Sequence, residues 1–386
     1  MKNKLSALKF VLNNKKQVWV MIIALSLTFM TMYIINFLFQ ATQESFKELF
    51  LEMPKKIGVI ELSPETMGVE GNEGYTDEEY NEKINEARNK IMAEMKKYEG
   101  ISDVVYTQCL YADYKGIVGS VGYHFPLLSK EQIPGYLEHM ETKLISGKMP
   151  EGDGEILVDE KILKNGKMKI GGYFRESVYG QNFKVVGILE SDYLTCVGTP
   201  QGYYNSGWYM VILCDEQNAD MTSLLNDMGI NPTEYDRIID SAEWAKMYRE
   251  LVVEQLDTAL LAILIVVIVF LAVSILVAYI SFMRNRVNEY CLYSSIGFGR
   301  KDIYVMIMKE ILIIFGISIA LGAVVTCLIM LLMGNFVIGQ MGLVSKYFCP
   351  EHLLRMISAF AIIVGILQIP ISVTINNIKT IDMIEE

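Results

Sequence analysis

The sequence predicts a multi-pass α-helical membrane protein: four transmembrane helices, with a large extracytoplasmic α+β domain between the first and second. Three observations carry this fold class. The chain has 386 residues, 52% of them hydrophobic, and a mean hydropathy of +0.29, more apolar than soluble chains of this length. The apolar residues gather in four uncharged runs, residues 18–39, 258–283, 311–345 and 356–378. The long segment between the first two runs is instead charge-rich and carries strand and helix periodicities.

About 20 helical residues span the roughly 30 Å hydrocarbon core, so each run is long enough to cross once. The third is too short to cross twice. It is expected to span residues 311–333 and leave the bilayer at Gly334-Asn335, giving a short outer loop at 334–355. Four buried helices of a soluble core would need polar faces that these runs lack. The first run also has the lysines that precede a signal peptide. Its apolar stretch exceeds the roughly 7–15 residues of a signal peptide, and no A-x-A site follows in "FLFQATQES", so residues 18–40 read as an uncleaved anchor.

Positive charge orients the spans. Residues 1–17 form an amphipathic segment with Lys2, Lys4, Lys9, Lys15 and Lys16 and no acid. The 284–310 loop holds Arg284, Arg286, Arg300, Lys301 and Lys309 against Glu289, Asp302 and Glu310. Both are expected in the cytoplasm, as is the tail at 379–386 after the span 356–378. The protein is therefore expected in the cell membrane, with both termini cytoplasmic and the large domain outside.

Residues 41–257 carry 21 Lys and Arg against 38 Asp and Glu, a net −17 in a chain of −11. There is no basic stripe, which argues against nucleic acid as a partner. An acidic surface is ordinarily a solvated face; attraction of cationic ligands such as basic peptides is the sharper reading. The six cysteines have irregular spacing and no C-x-x-C pair, so no disulfide framework is signalled. His124, His139 and His352 are scattered, and a zinc site is not expected.

Within the domain, "KKIGVIELS" reads as a strand over residues 57–62. The next stretch, from Asp77 to Gly100, reads as a helix with Ile84, Ala87, Ile91 and Met95 on one face, Asp77 as its cap and Gly100 at its end. "ISDVVYTQCLY" is a second strand. Glycines and short apolar runs then mark a β-rich insert over about 116–204. A strand at "WYMVILC", a helix over 216–228, a strand at "YDRIID" and a helix from Ser241 complete a second half. The expectation is two α+β halves around a β-rich lobe, with helices at 43–52 and 243–255 forming a stalk.

No catalytic constellation accompanies this architecture. There is no phosphate-cradling G-x-x-x-x-G-K-[ST], no G-x-S-x-G and no H-E-x-x-H. Asp159-Glu160 sit at a predicted strand end, where neighbours point to opposite faces. The interiors of the spans carry no charge, so no proton relay is built into them. No enzyme activity and no cofactor is expected in this chain.

Two sets of motifs together resemble the FtsX-like, MacB-type ABC transporter permeases, the mechanotransmission or type VII family. In the domain, the turn Gly147-Lys148-Met149-Pro150 precedes a strand opening with Glu155 and Ile156; Ile170-Gly171 and Phe183, Val185, Val186, Gly187, Ile188 follow. Gly172 departs from the family, which often has Asp there. In the loop after the second span, "RVNEYCLYSSIGFGRKDIY" matches at Arg286, Glu289, Tyr290, Leu292, Ile296, Gly297, Gly299 and Ile303, with Glu310 entering the next span. Cys291 and Ser295 stand where larger aliphatics or Ala are commoner. "KLSALKFVLNNKK" resembles the family's amphipathic N-terminal helix. The resemblance covers nearly the whole length. It implies a permease subunit whose ATPase, with its ATP and Mg, is a separate cytoplasmic chain. It further implies work as a dimer with a second copy or a paralogous permease, and membrane lipid around the spans. The ligand outside would be a peptide, a lipid-linked molecule or a protein.

The residues themselves support a docking element in that loop. Helical spacing puts Val287, Tyr290, Cys291 and Ser294 near one face, and Gly297 and Gly299 can end the helix sharply. With Arg300 and Lys301 beside it, such a helix can dock in a partner's groove; a plain loop anchored by its charge is the other reading. In the third span Ser318, Gly322 and Thr326 recur every four residues, as do Gly316 and Ala320. Small residues let helices approach closely in lipid, either inside the chain or across a dimer seam. Pro370 is expected to kink the fourth span.

Two functions are compatible with this reading. One is an ABC permease subunit that exports or removes an antimicrobial peptide, antibiotic or lipid-linked substrate. The other is an ATP-driven regulator that signals to a cell-wall hydrolase or a sensor kinase and transports nothing. A membrane-anchored receptor without an ATPase fits the loop motif poorly.

Overall fold

The computed structural model describes residues 15–71, 73–174, 182–201, 208–215 and 220–376. The expected amphipathic N-terminal segment lies outside these up to residue 14, as do the C-terminal tail and the first residues of the helix expected at 216–228. The chain divides into two compact units: residues 1–38, 257–334 and 346–386, and residues 39–256 with 335–345.

Among the described residues, four helices are long and apolar enough to cross a membrane. They belong to α1 (Lys15–Lys47), α7 (Gln255–Arg284), α9 (Arg300–Met333) and α10 (Pro350–Asn376). A backbone with no water to bond must satisfy its own polar groups, which is why these runs are continuous helices. α10 runs unbroken through Pro370. Inside this unit the Ser26 hydroxyl of α1 donates to the Ser318 carbonyl of α9 at 3.0 Å, and Phe29 packs on Phe360 with ring centroids 6.1 Å apart.

The α+β unit is built on β1 (Ile57–Glu61), α2 (Asp77–Met95), β2 (Ile101–Lys115), β3 (Ser120–Pro126), α3 (Ile133–His139), β4 (Lys143–Gly147), β5 (Glu155–Asp159) and α4 (Glu160–Asn165). β6 (Lys184–Glu190), β7 (Cys196–Gly198), β8 (Trp208–Cys214), α5 (Met221–Asp227), β9 (Arg237–Ile239) and α6 (Ser241–Met247) follow. The strands form a five-stranded sheet, β3-β2-β8-β1-β9, and a four-stranded sheet, β4-β6-β5-β7.

The two halves expected on either side of the insert are one sheet. β8 lies between β1 and β2 and pairs antiparallel with both, Gly58 opposite Ile212 and Val105 opposite Val211. β2 is long enough to pair twice, with β8 through its first half and with β3 through its second. β3, expected within the insert, is therefore an edge of the larger sheet. The insert also contains the helices α3 and α4, and β5 and β6 within it run parallel.

Burial holds this sheet to its helices. Ile60, Val104 and Ile212 of the sheet meet Ile91 and Met95 of α2 and Leu225 of α5 in one cluster. Each such fully buried side chain contributes roughly 1.5–3 kcal/mol. α2 is capped by Thr76, one residue before the expected Asp77. The Thr76 hydroxyl accepts from Glu79 N at 3.3 Å while the Glu79 carboxylate accepts from Thr76 N at 2.9 Å. This reciprocal box satisfies two exposed donors, which Asp77 could not do from inside the first turn. The helix ends at Met95, and Gly100, at φ +87°, turns the chain into β2.

The stalk segments are helical and touch each other. α1 continues into a π-helical turn at Glu48–Glu52, and α6 into another at Tyr248–Glu254. Phe50 packs edge-on against Trp244 at 5.0 Å, and the Tyr248 hydroxyl donates to the Gln43 carbonyl at 3.2 Å. Residues 335–345 join the same unit: Tyr114 donates to the Gly342 carbonyl at 2.7 Å and Ser45 accepts from Val344 N at 2.8 Å. Gly342 has φ +69°, and a Cβ there would strike the Lys161 carbonyl.

Candidate coupling site

The segment between α7 and α9 contains a short helix, α8 (Val287–Ser295). Its end follows from glycine chemistry. Gly297 adopts φ +96°, donates to the Ser294 carbonyl at 3.0 Å, and lets Phe298 N reach Tyr293 O at 3.1 Å. These bonds satisfy carbonyls that a helix terminus leaves open. α9 starts at once, with Asp302 accepting from Gly299 N at 3.1 Å.

The residues expected to dock a partner divide into two groups. Arg286 and Tyr290 are buried, 3% and 0% exposed, with Cys291 beside them. Leu292 and Ile296 are 51% and 66% exposed, and Gly297, Gly299, Arg300 and Lys301 are exposed as well. Glu289 is half-buried between them.

Arg286 is what anchors the inner face. Its guanidinium donates to both carboxylate oxygens of Glu310 on α9, at 2.7 and 3.4 Å, and through Nε to Glu289 at 3.1 Å. It also lies over the rings of Phe282 and Tyr290, at 5.2 and 4.9 Å. Glu310 is 1% exposed. A buried forked pair tolerates little misalignment, because desolvation is offset only while both oxygens stay bonded. α8 is thereby tied to α7 through Phe282 and to α9 through Glu310, and its apolar outer face is exposed among the described residues. Among the described residues, the buried Tyr290 hydroxyl has no hydrogen-bond partner.

The small-residue stripe of α9 also divides. Ser318, Gly322 and Thr326 are buried, and a Cβ on Gly322 would sit 3.1 Å from Phe29 and from the Ser26 carbonyl. The stripe is the seat of α1 within the chain, the internal packing that was one of its two expected uses. Gly316 and Ala320 are exposed.

The motif residues of the α+β unit meet in the four-stranded sheet. Gly147 has φ +87°, and a Cβ there would strike the Val186 carbonyl; a Cβ on Gly187 would meet Leu144 and Leu157. Pro150, Ile156 and Val186 are buried. Glu155 closes the turn by accepting from Glu151 N at 2.7 Å and Gly152 N at 3.0 Å. Those two amides hold its carboxyl below the usual carboxylate range. Gly171, at φ +83°, donates to Val185 O at 2.8 Å. These are turn and packing positions. All six cysteines are free thiols, and burial pushes Cys109 and Cys214 up to about 12. Among the described residues, no group of His, Cys, Asp and Glu is placed to hold a metal.

Sequence reasoning found the helix and its glycine stop but not the inward role of Arg286. Its partner Glu310 is 24 residues away, and the only signal was that both are charged residues beside apolar runs.

A search of curated proteins finds no match to this chain. Among solved structures, the periplasmic region of MacB from Actinobacillus actinomycetemcomitans is similar over 53% of this chain and 95% of that one, at 12% identity and a TM-score of 0.26. The extracellular domain of the noncanonic ABC-type transporter YknZ from Gram-positive bacteria covers 48% of this chain and 99% of that one, at 13% identity and a TM-score of 0.25. A domain of a putative permease protein from Porphyromonas gingivalis covers 39% and 75%, at 11% identity and a TM-score of 0.20. Overlaps this loose carry no weight beside the sheets and helices described above. Residues 261–382, which hold α8, α9, α10 and most of α7, match the FtsX-like permease C-terminal model, so this part of the chain is similar to that family.

Proposed function

We propose that the chain is the permease subunit of an ABC-type transporter of the MacB and FtsX kind. A separate cytoplasmic ATPase, holding ATP and Mg²⁺, docks on the 284–310 segment. The α+β unit lies outside the membrane, both termini lie in the cytoplasm, and a second permease copy or paralogue completes the assembly. Hydrolysis by the ATPase moves the outer unit, which exports or removes an antimicrobial peptide, antibiotic or lipid-linked substrate.

The observation that carries this reading is the division of α8. Its inner face is locked by Arg286 and Glu310, while Leu292 and Ile296 present an apolar, outward face flanked by Arg300 and Lys301. An exposed apolar helix face rimmed by charge is what a helix-in-groove contact requires. The FtsX-like match over the same residues agrees with it.

The test is co-purification. Leu292→Asp combined with Ile296→Asp is expected to abolish capture of the ATPase and its stimulated hydrolysis, with the unfolding temperature of the permease unchanged. Capture that survives this double substitution would overturn the docking site.

A further inference from the structure

The α+β unit contains a cavity of about 370 Å³ between the end of β2, β3 and the turn after α4. That is within the range of small-molecule sites, roughly 300–1,000 Å³. Its walls are apolar: Ala112, Tyr123, Ile162, Met168 and Phe174, all buried. Its rim is cationic. Lys115, Lys164 and Lys167 line it together with one carboxylate, Asp113, and Lys164 also pairs with the nearby Glu160 at 3.1 Å. This stands against a background of net −17 over residues 41–257.

Three further features mark the cavity as built. Asn165 pins its edge, accepting from Lys115 N at 2.8 Å and donating to the carbonyls of Lys115 at 2.7 Å and Met341 at 3.0 Å. Among the described residues, the fully buried Tyr123 hydroxyl has no hydrogen-bond partner beyond the Cys196 thiol beside it. A Schellman cap orders the turn after α4: Lys167 takes the left-handed position at φ +53°, its N donating to Lys164 O at 3.1 Å and Met168 N to Leu163 O at 2.9 Å, which fixes Lys167 and Met168 at the cavity.

The geometry points to a binding site for an amphiphile with an anionic head. The apolar body enters between Ile162, Met168 and Phe174, and a phosphate or carboxylate meets Lys164 and Lys167. This names the lipid-linked phosphate class among the substrates proposed above. It rests on that reading for its biological meaning but not on ATPase docking.

The experiment uses the full chain in nanodiscs, without ATPase, and titrates hexyl phosphate by calorimetry after subtraction of empty nanodiscs. Saturable binding at one site per chain is expected, with hexanol and inorganic phosphate each at least about tenfold weaker because each lacks one half of the contact. Lys164→Glu with Lys167→Glu, both exposed positions, should weaken hexyl phosphate at least about tenfold. Lys167→Gly should raise the unfolding temperature while weakening binding, which a purely structural lysine would not do. No saturable binding, equal binding of hexanol or phosphate, or indifference to the double substitution would each overturn the site. None of these results depends on Leu292 or Ile296, so failure here leaves the docking test standing.

Discussion

Arg286 at the start of α8 and Glu310 on α9 form a buried forked ion pair, with N–O distances of 2.7 and 3.4 Å and side chains 3% and 2% exposed. The pair ties the short helix α8 to α9.

Removing one partner leaves the other charged and buried. Glu310→Ala is expected to cost about 3–5 kcal/mol, measured as unfolding of the purified chain in detergent. Arg286→Met with Glu310→Leu should recover most of that loss, because the desolvation penalty disappears with both charges. A double variant no more stable than Glu310→Ala would refute this account.

Tyr290 separates packing from hydrogen bonding. Its ring is buried and its hydroxyl has no partner among the described residues. Tyr290→Phe should change stability by less than about 0.5 kcal/mol or raise it, while Tyr290→Ala should cost about 3–5 kcal/mol. Equal losses in the two variants would show that the hydroxyl does find a partner.

Gly322 and Gly316 lie six residues apart on α9 and should behave oppositely. Gly322→Val drives a side chain into Phe29 and the Ser26 carbonyl and should destabilise by about 1–3 kcal/mol. Gly316→Val meets nothing within 4 Å among the described residues and should leave the chain's stability unchanged. A shift in sedimentation to a smaller species for Gly316→Val would place the contact with a second copy there.

Asp159 supplies a pH signature. Burial pushes its carboxyl up to about 6, against the relief given by Lys161 N and the Ser191 hydroxyl. A carboxyl raised on folding binds its proton more tightly in the folded state. Its contribution is therefore favourable at low pH and is lost as pH rises from about 4 to about 6. Asp159→Asn keeps an acceptor for Lys161 N and removes the charge. Its stability relative to the parent should grow over that window, by up to about 3 kcal/mol, and stay level above it. A pH-independent difference would show that Asp159 is not ionised by folding-linked titration.

The parts legible in the sequence are those fixed by near neighbours. Uncharged runs of about 20 residues dictate spans, because no other backbone form survives in hydrocarbon. Period-3.6 spacing and Gly297 dictate α8 and its stop, because both act within a few residues. The cap of α2 shows how short that reach is: Thr76 and Glu79 act as a pair, and reading Asp77 alone misplaced the cap by one residue.

Which face of each element is covered was decided only by the tertiary structure. Periodicity grouped Tyr290 with Cys291, but Arg286 turned inward because Glu310, 24 positions on, meets it there. The Ser318 stripe is an internal seat because Ser26, 292 positions away, bonds to it. The two expected halves became one sheet because β8 is hydrogen-bonded to both β1 and β2. Local spacing determines what elements the chain can form; only closure of long loops, rewarded by burial and paired polar groups, determines what those elements touch.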